Sequence, residues 1–454
     1  MAVAEVRDID LLDPSLYRNG VPHELYAELR EVGPVLWHPL THVPAYNGDI
    51  EFWAVIRHRE VEHANRDWET FSVHDGTTIV PFPPAQRGVM FVTKDPPEYN
   101  RIRRLISAGF TPRMVGRLED QISDRTERIL DDAAARCELD FVTEIAYQLP
   151  MHVIADIVGI PEDDRPVVFQ LTDFLLRATD PFQEISLQER RKAEVELFSY
   201  AHELSAAKRM SPTDDVWSIL AGGELDEFEL DLFFMALTFG GSETTRNALA
   251  QGLMALLDNP DQLAQLRQDP SLLPTAIEEV LRWSSPVICF GRTVTRDVEL
   301  GGQQLRAGDR VGLFYPSANR DREVFADPVR FDIRRSPNPH LAFGGGGPHF
   351  CLGASVARTE LQVMIGALLR RFEVIEITGE ATWMSAGLLQ PLASLSNRCL
   401  SGWRRTSGSA CRTTASSACG RLWATPHRRS VGALSRSSFS VTVTLISDKC
   451  VSTP

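Results

Sequence analysis

The chain has 454 residues, a formal net charge of −14 and a pI near 5.3, so a nucleic-acid-binding role is excluded on electrostatic grounds. The opening residues, MAVAEVRDIDLLDP, carry neither a basic region nor an apolar core, and no signal peptide or membrane anchor is expected there. Seven cysteines without a CxxC pair suit free thiols in a reducing compartment, which makes the cytoplasm the expected location and Cys137 and Cys289 packed thiols.

In chain order, the sequence predicts a short helix over residues 23–32, then extended segments VLWHPL and FWAVIRH rich in apolar and aromatic residues. Residues 70–94 turn rich in Gly, Pro and Thr, including PFPPAQRG, and mark a long loop of the kind that carries function. Residues 115–210 combine charge with apolar residues at helical spacing and read as a series of surface helices. Next comes a long helix: Asp226 and Glu229 form a D-x-x-E start, apolar residues run to Asp258, and Asn259-Pro260 stop it. At about 1.5 Å per residue it is roughly 50 Å long, enough to cross the molecule. Its most apolar stretch, residues 232–241, is far shorter than the roughly 20 residues that span a bilayer.

The centre of that helix reads Gly240-Gly241-Ser242-Glu243-Thr244-Thr245. A threonine hydroxyl in mid-helix competes for the carbonyl four residues back, here that of Gly240, and neighbouring glycines let the helix open. A plain core helix accounts for the Leu, Phe and Met around it, and leaves this polar spot without a purpose.

Residues 342–358, AFGGGGPHFCLGASVAR, place Cys351 between four glycines and a predicted helix beginning near Leu352. The positive end of such a helix lowers the thiol pKa and favours a thiolate metal ligand. Glycines in such a run adopt backbone angles closed to other residues and bring bare main chain close to a flat ligand. A lone cysteine before a helix is otherwise an ordinary buried thiol.

The string resembles the haem-binding loop of the cytochrome P-450 family, Phe-Gly-x-Gly-x-His/Arg-x-Cys-x-Gly. Phe343, Gly347, His349, Cys351 and Gly353 match, with one extra residue between Phe343 and Cys351. Similar lengthened loops occur in the actinobacterial branch that oxidises sterol side chains and methyl-branched lipids. The resemblance implies one mainly α unit with small β-sheets over residues 1–396, where length alone suggests two or three domains. In that fold a long central helix lies over a haem held by the Cys loop.

By the same resemblance, Cys351 is the axial ligand of haem b (iron protoporphyrin IX), Thr244 the hydrogen-bond donor at the oxygen site and Glu243 the proton relay. Glu279 and Arg282 form the family's ExxR, and Pro328-Val329-Arg330-Phe331 its Pro-x-Arg-Phe, so Arg330 is expected to complete a buried Glu–Arg–Arg network. Arg103, Arg292 and His349 stand at positions that bind the haem propionates, and Tyr99 replaces the usual histidine. Candidate pocket residues are Met235, Phe239 and Gly240 on the long helix, Val287, Ile288 and Phe290 after ExxR, and the loop at 79–82.

The implied activity is insertion of one oxygen atom from O2 into a C–H bond of an apolar small molecule: a sterol, a branched lipid or a terpene. The chain has no dinucleotide-binding G-x-G-x-x-G unit after a strand, so electrons from NAD(P)H are expected through a separate ferredoxin reductase and ferredoxin. A basic patch of Arg101, Arg104, Arg113 and Arg358 is a candidate docking face, and a monomer is expected. A peroxide-driven peroxygenase and a haem-binding protein inactivated by its C-terminus are the alternatives.

That C-terminus changes character. Residues 397–454 hold nine Lys or Arg against a single acid, Asp448, with twelve serines and four of the seven cysteines. Both a physiological tail and a shifted reading frame give such a composition, and the frame shift explains its abruptness better. Most of it is expected to stay poorly packed, with VTVTLI at 441–446 as the exception that adds a strand to an edge.

Overall fold

Aromatic and β-branched residues open the fold. The computed structural model describes residues 9–43, 48–109, 112–135, 138–180, 182–379, 381–383, 392–395 and 443–446. Helix α1 (His23–Val32) buries Leu25, Tyr26 and Leu29, which share an apolar cluster with Phe52 and Phe314. β1 (Val35–Val43) and β2 (Gly48–Val55) pair antiparallel, Val35 opposite Val55 and Trp37 opposite Trp53. α2 (His58–Arg66) and the two-residue β3 (Phe71–Ser72) follow. Beyond them the expected long loop has only two 3₁₀ turns, at Pro84–Gln86 and Phe91–Thr93.

The helical body comprises α3 (Glu98–Gly109), α4 (Pro112–Ala134), the short β4 (Glu138–Leu139), α5 (Gln148–Val158), α6 (Arg165–Arg177), α7 (Leu187–Met210) and α8 (Val216–Ala221). The long helix α9 (Glu227–Asp258), α10 (Pro260–Gln268) and α11 (Leu273–Ser284) complete it. The expectation of surface helices over 115–210 fails at α5, whose Leu149, Met151, Val153, Ile154, Ala155 and Val158 are buried. Few charges and apolar residues on every side suit a helix enclosed by others, and α5 packs against both α4 and α9.

β5 (Cys289–Val294), the hairpin β6 (Val298–Leu300) and β7 (Gln303–Leu305), and β8 (Arg310–Phe314) lead into α12 (Tyr315–Ala318). The main sheet has the order β1-β2-β8-β5-β3, with β2 and β8 parallel and the other neighbours antiparallel. After the Cys351 loop come α13 (Ala354–Arg371), β9 (Val374–Ile377), β10 (Ala381–Trp383) and β11 (Leu392–Leu395). β12 (Val443–Ile446) lies between β4 and β9, antiparallel to both. The strand expected from VTVTLI is present, in the middle of a sheet instead of at an edge. The rest of the 397–454 tail lies outside the described residues, as does Cys137.

α9 forms the spine. Asp226 accepts from the Glu229 N–H while the Glu229 side chain accepts from the Asp226 N–H, a full capping box, and Asn259 ends the helix before Pro260. Gly252 lets α11 come close, because a Cβ there would stand 2.5 Å from Val280 Cγ1. α9 also packs on α13, the helix that follows Cys351. Among the described residues no helix is long and apolar enough to cross a membrane.

Candidate functional site

The glycines before Cys351 all have positive φ: 94° at Gly344, 66° at Gly345, 108° at Gly346 and 77° at Gly347. Two of them answer to neighbouring chain. A Cβ on Gly347 would fall 2.5 Å from the Asn65 carbonyl oxygen, and one on Gly346 3.0 Å from Arg66 Nε. The bare backbone thus meets the end of α2, a protein neighbour beside the flat ligand expected from the glycine run. Arg66 Nε donates to the Gly345 carbonyl at 3.1 Å, and the Cys351 N–H donates to the Phe343 carbonyl at 3.0 Å, closing the loop. Phe343 is half-buried beneath the Arg358 guanidinium, 4.6 Å from its ring centre.

Cys351 is solvent-accessible yet crowded by protein. Burial raises its thiol above the usual range, while the Gly353 N–H it accepts from and the charges of Arg103 and Arg358 pull it down without prevailing. This corrects the expected lowering: α13 starts at Ala354, with Gly353 as its cap, and one N–H does not outweigh desolvation. A crowded thiol of this kind loses its proton outright when it coordinates a metal ion.

On α9, hydroxyls bond back to carbonyls four residues earlier at three points: Thr238 to Phe234 at 2.8 Å, Ser242 to Thr238 at 2.6 Å and Thr244 to Gly240 at 2.8 Å. The Thr244 bond is the expected one. Glu243 is 2% exposed, and burial pushes its carboxyl up to about 7, with Arg246 opposing the rise and Asp173 adding to it. Gly240 faces open space, since a Cβ there would meet nothing within 4 Å.

Glu279 and Arg282 are both fully buried and form a bidentate pair, Nε to Oε2 at 2.8 Å and Nη2 to Oε1 at 2.7 Å. The third arginine is Arg335, whose Nε donates to Glu279 Oε2 at 3.1 Å. Arg330 is exposed and contributes only its carbonyl, which accepts from Arg282 and Arg335, so the expected role of its side chain is wrong. The Asp332 N–H and Asn338 Nδ2 complete the shell around Glu279 at 2.8 and 3.1 Å. Such saturation is what allows a charge to be buried this deeply.

Arg103 donates to the Tyr99 hydroxyl at 2.7 Å and to the Pro348 and Phe350 carbonyls at 3.1 and 2.7 Å, so it braces the Cys351 loop. Tyr99 stacks on Phe91 and lies 4.2 Å from the His349 ring centre; its hydroxyl accepts from Arg103 and keeps its own proton to donate. Arg292 is buried, donating to Asn65 Oδ1 at 3.1 Å and to the Gly291 carbonyl at 2.8 Å. Burial, then Arg292 and Arg103, push His349 down to about 3, and its Nε2 is buried without a hydrogen-bond partner.

These residues fit a haem. An open thiol at Cys351, clear space beside Gly240 and Gly353, and an orphaned His349 nitrogen near two arginines match its iron, its flat ring and its carboxylates in turn.

Other expectations divide. Met235, Phe239, Val287 and Phe290 are half-buried, whereas Ile288 and Ile79 belong to the closed core around Tyr26 and Phe52. Arg101 is paired with Glu98 and Glu229, and Arg358 with both oxygens of Glu278, which leaves Arg104 exposed and the expected basic patch largely neutralised. The Arg113 side chain lies outside the described residues. Sequence reading missed Asn65, Asn319, Arg335 and Asn338, which act across long separations. Asn319 Oδ1 accepts from the Leu341 N–H at 2.7 Å while its carbonyl accepts from Arg282 at 2.9 Å, coupling ExxR to the Cys351 loop.

The description of the cytochrome P450 family matches residues 202–393. The chain is 42% identical to cytochrome P450 126 of Mycobacterium tuberculosis over 84% of its own length and 94% of that protein. It is 36% identical to the steroid C26-monooxygenase of Rhodococcus jostii, over 84% and 82%. The solved structure of Mycobacterium marinum cytochrome P450 CYP268A2 in complex with pseudoionone superposes with a TM-score of 0.76 at 37% identity, over 82% of this chain and 94% of that one. With the Cys351 loop, the saturated Glu279–Arg282 pair and the Glu243–Thr244 helix all in place, the chain belongs to the cytochrome P450 family.

Proposed function

We propose that this chain is a haem-thiolate monooxygenase that inserts one oxygen atom of O2 into a C–H bond of an apolar small molecule, with steroids and terpenoids as the preferred classes. The observation that carries the reading is a buried acid next to a threonine whose hydroxyl donates to the Gly240 carbonyl, on a helix packed against the one after Cys351. Haem, which Cys351 would hold, would supply oxygen activation.

The remaining work falls to side chains. Thr244 presents a hydroxyl that can turn from the Gly240 carbonyl toward the cleft, and Glu243 exchanges its proton near neutral pH. Arg103, Arg292 and His349 would hold the haem carboxylates, and the half-buried Met235, Phe239, Val287 and Phe290 would offer apolar surface to the substrate. A peroxygenase needs no acid–threonine relay, so this pair favours O2 and external electrons. A steroid C26-monooxygenase among the relatives and a neighbour holding pseudoionone support the substrate classes. Ferredoxin, fed by its reductase, is the proposed electron donor.

The test is a binding and turnover screen of the haem-loaded protein. Steroids, pseudoionone and methyl-branched fatty acids are expected to shift the Soret band to shorter wavelength, and NAD(P)H with a ferredoxin and its reductase is expected to give monohydroxylated product. Haem binding with neither spin shift nor product across the screen would sink the reading in favour of an inactive haem protein.

A further inference from the structure

Arg246 lies on α9 one turn beyond Glu243, its side chain 4% exposed and its Nε buried without a hydrogen-bond partner. A guanidinium keeps its proton in any protein interior, so its charge must be met by an anion, an acceptor or a ring face. Two such partners are present. The Tyr147 ring centre lies 5.7 Å from the guanidinium carbon, and Glu243 Oε1 lies 3.5 Å from Nη2. At 3.5 Å the second contact is mainly Coulombic, and the dry surroundings strengthen it. Tyr147 makes a fixed platform, since its hydroxyl donates to the Phe169 carbonyl at 2.9 Å.

The other charges near Glu243 come from α6. Asp173 opposes ionisation of Glu243, and Arg177 pairs with Asp173 at 2.9 Å. Asp173 and Arg177 are 35% and 40% exposed, so water screens both. Arg246 is the cation enclosed with the acid.

We propose that Arg246 is a positioning residue of the proton relay, holding the Glu243 carboxyl from the next turn of α9 and stabilising the carboxylate that remains after each proton is passed on. The proposal rests on the monooxygenase reading. When Glu243 gives a proton toward the Thr244 side, the negative charge left behind is met by Arg246, and a proton from solvent water restores the acid. With burial alone Glu243 would stay protonated at neutral pH and could not cycle. The Arg246 charge lets both forms coexist, and the Tyr147 face keeps the guanidinium in place while Glu243 is neutral.

The test is a pH titration of the Glu243 carboxyl in the haem-loaded protein by difference infrared spectroscopy, with Glu243→Gln identifying the band. The wild type is expected to show a midpoint near 7. Arg246→Leu and Arg246→Gln are expected to move it up by about one to three pH units, with Arg246→Lys staying near the wild type. The pH profile of kcat is expected to move with the midpoint. A folded Leu or Gln variant with an unmoved midpoint overturns the proposal. So does a wild-type band that fails to titrate between about pH 5 and 9, an outcome that needs no variant to fold. Failure of the monooxygenase reading registers separately, as a missing thiolate signature in the ferrous carbonyl spectrum.

Discussion

Arg335 donates to Glu279 at 3.1 Å across 56 residues of sequence, and its side chain is only 8% exposed. It also donates to the carbonyls of Ala326, Asp327 and Arg330, so it ties the segment before the Cys351 loop to the ExxR helix. Removing one partner from a buried ion network costs about 3–5 kcal/mol, because the other charge is left unmet. Arg335→Ala is therefore expected to lose most of its haem-loaded yield and stability. Arg330→Ala, which leaves the carbonyl in place, is expected to stay within about 0.5 kcal/mol of the wild type. Denaturant melts with haem content per chain check the contrast, and equal losses in the two variants would return Arg330 to the network.

Thr244 spends its hydroxyl on the Gly240 carbonyl, a bond that weakens a helix more than it supports it. Thr244→Ala is expected to keep the fold and the ferrous carbonyl spectrum, while oxygen consumption runs on to hydrogen peroxide at the expense of product. The product-to-peroxide ratio is expected to fall about a hundredfold or more, in the range typical for loss of a proton-transfer group. Fully coupled turnover in that variant removes Thr244 from proton delivery.

The same contrast explains what could be read from sequence. Asp226, Glu229 and Asn259-Pro260 are local signals, and α9 has the bounds they predict. Cys351 sits in a contiguous motif and needs no partner to be recognised. Arg334 and Arg335 are adjacent, and which one turns inward depends on the path of residues 326–338, which no periodicity reveals. Arg334 is exposed. Asn65 lies 227 residues from Arg292 and 250 from Tyr315, yet its Oδ1 accepts from both. The four glycines announced a special backbone, and only the packing showed that it presses on Asn65 and Arg66.

Glu243 also marks the pH dependence of stability. Its carboxyl titrates near 7 in the fold against a usual 4.5, so between those values the folded chain keeps a proton that the unfolded chain has released. Stability from this group therefore falls as pH rises from about 4.5 to about 7, by about 3 kcal/mol at 1.36 kcal/mol per pH unit. Glu243→Gln lacks that loss. Its stability relative to the wild type is expected to climb across this window and level off above it. Paired thermal melts at stepped pH values check this, and a difference independent of pH would mean that Glu243 is not buried as a neutral acid.

β12 makes the last prediction. Val443 and Thr444 pair with Leu139 and Glu138 on one side, and residues 443–446 pair with all four residues of β9 on the other. Truncation after Asn397 removes this strand and leaves two edges with unpaired N–H and C=O groups. Hydrogen exchange at 138–139 and 374–377 is expected to accelerate, and limited proteolysis to cut nearby sooner. Haem uptake is expected to survive, because Cys351, Glu279 and Thr244 all precede the cut and, among the described residues, their hydrogen bonds stay within the body of the fold. Unchanged exchange at 374–377 after truncation would show that β12 does not hold β9 in solution, and loss of haem would make the tail part of the cofactor-binding fold.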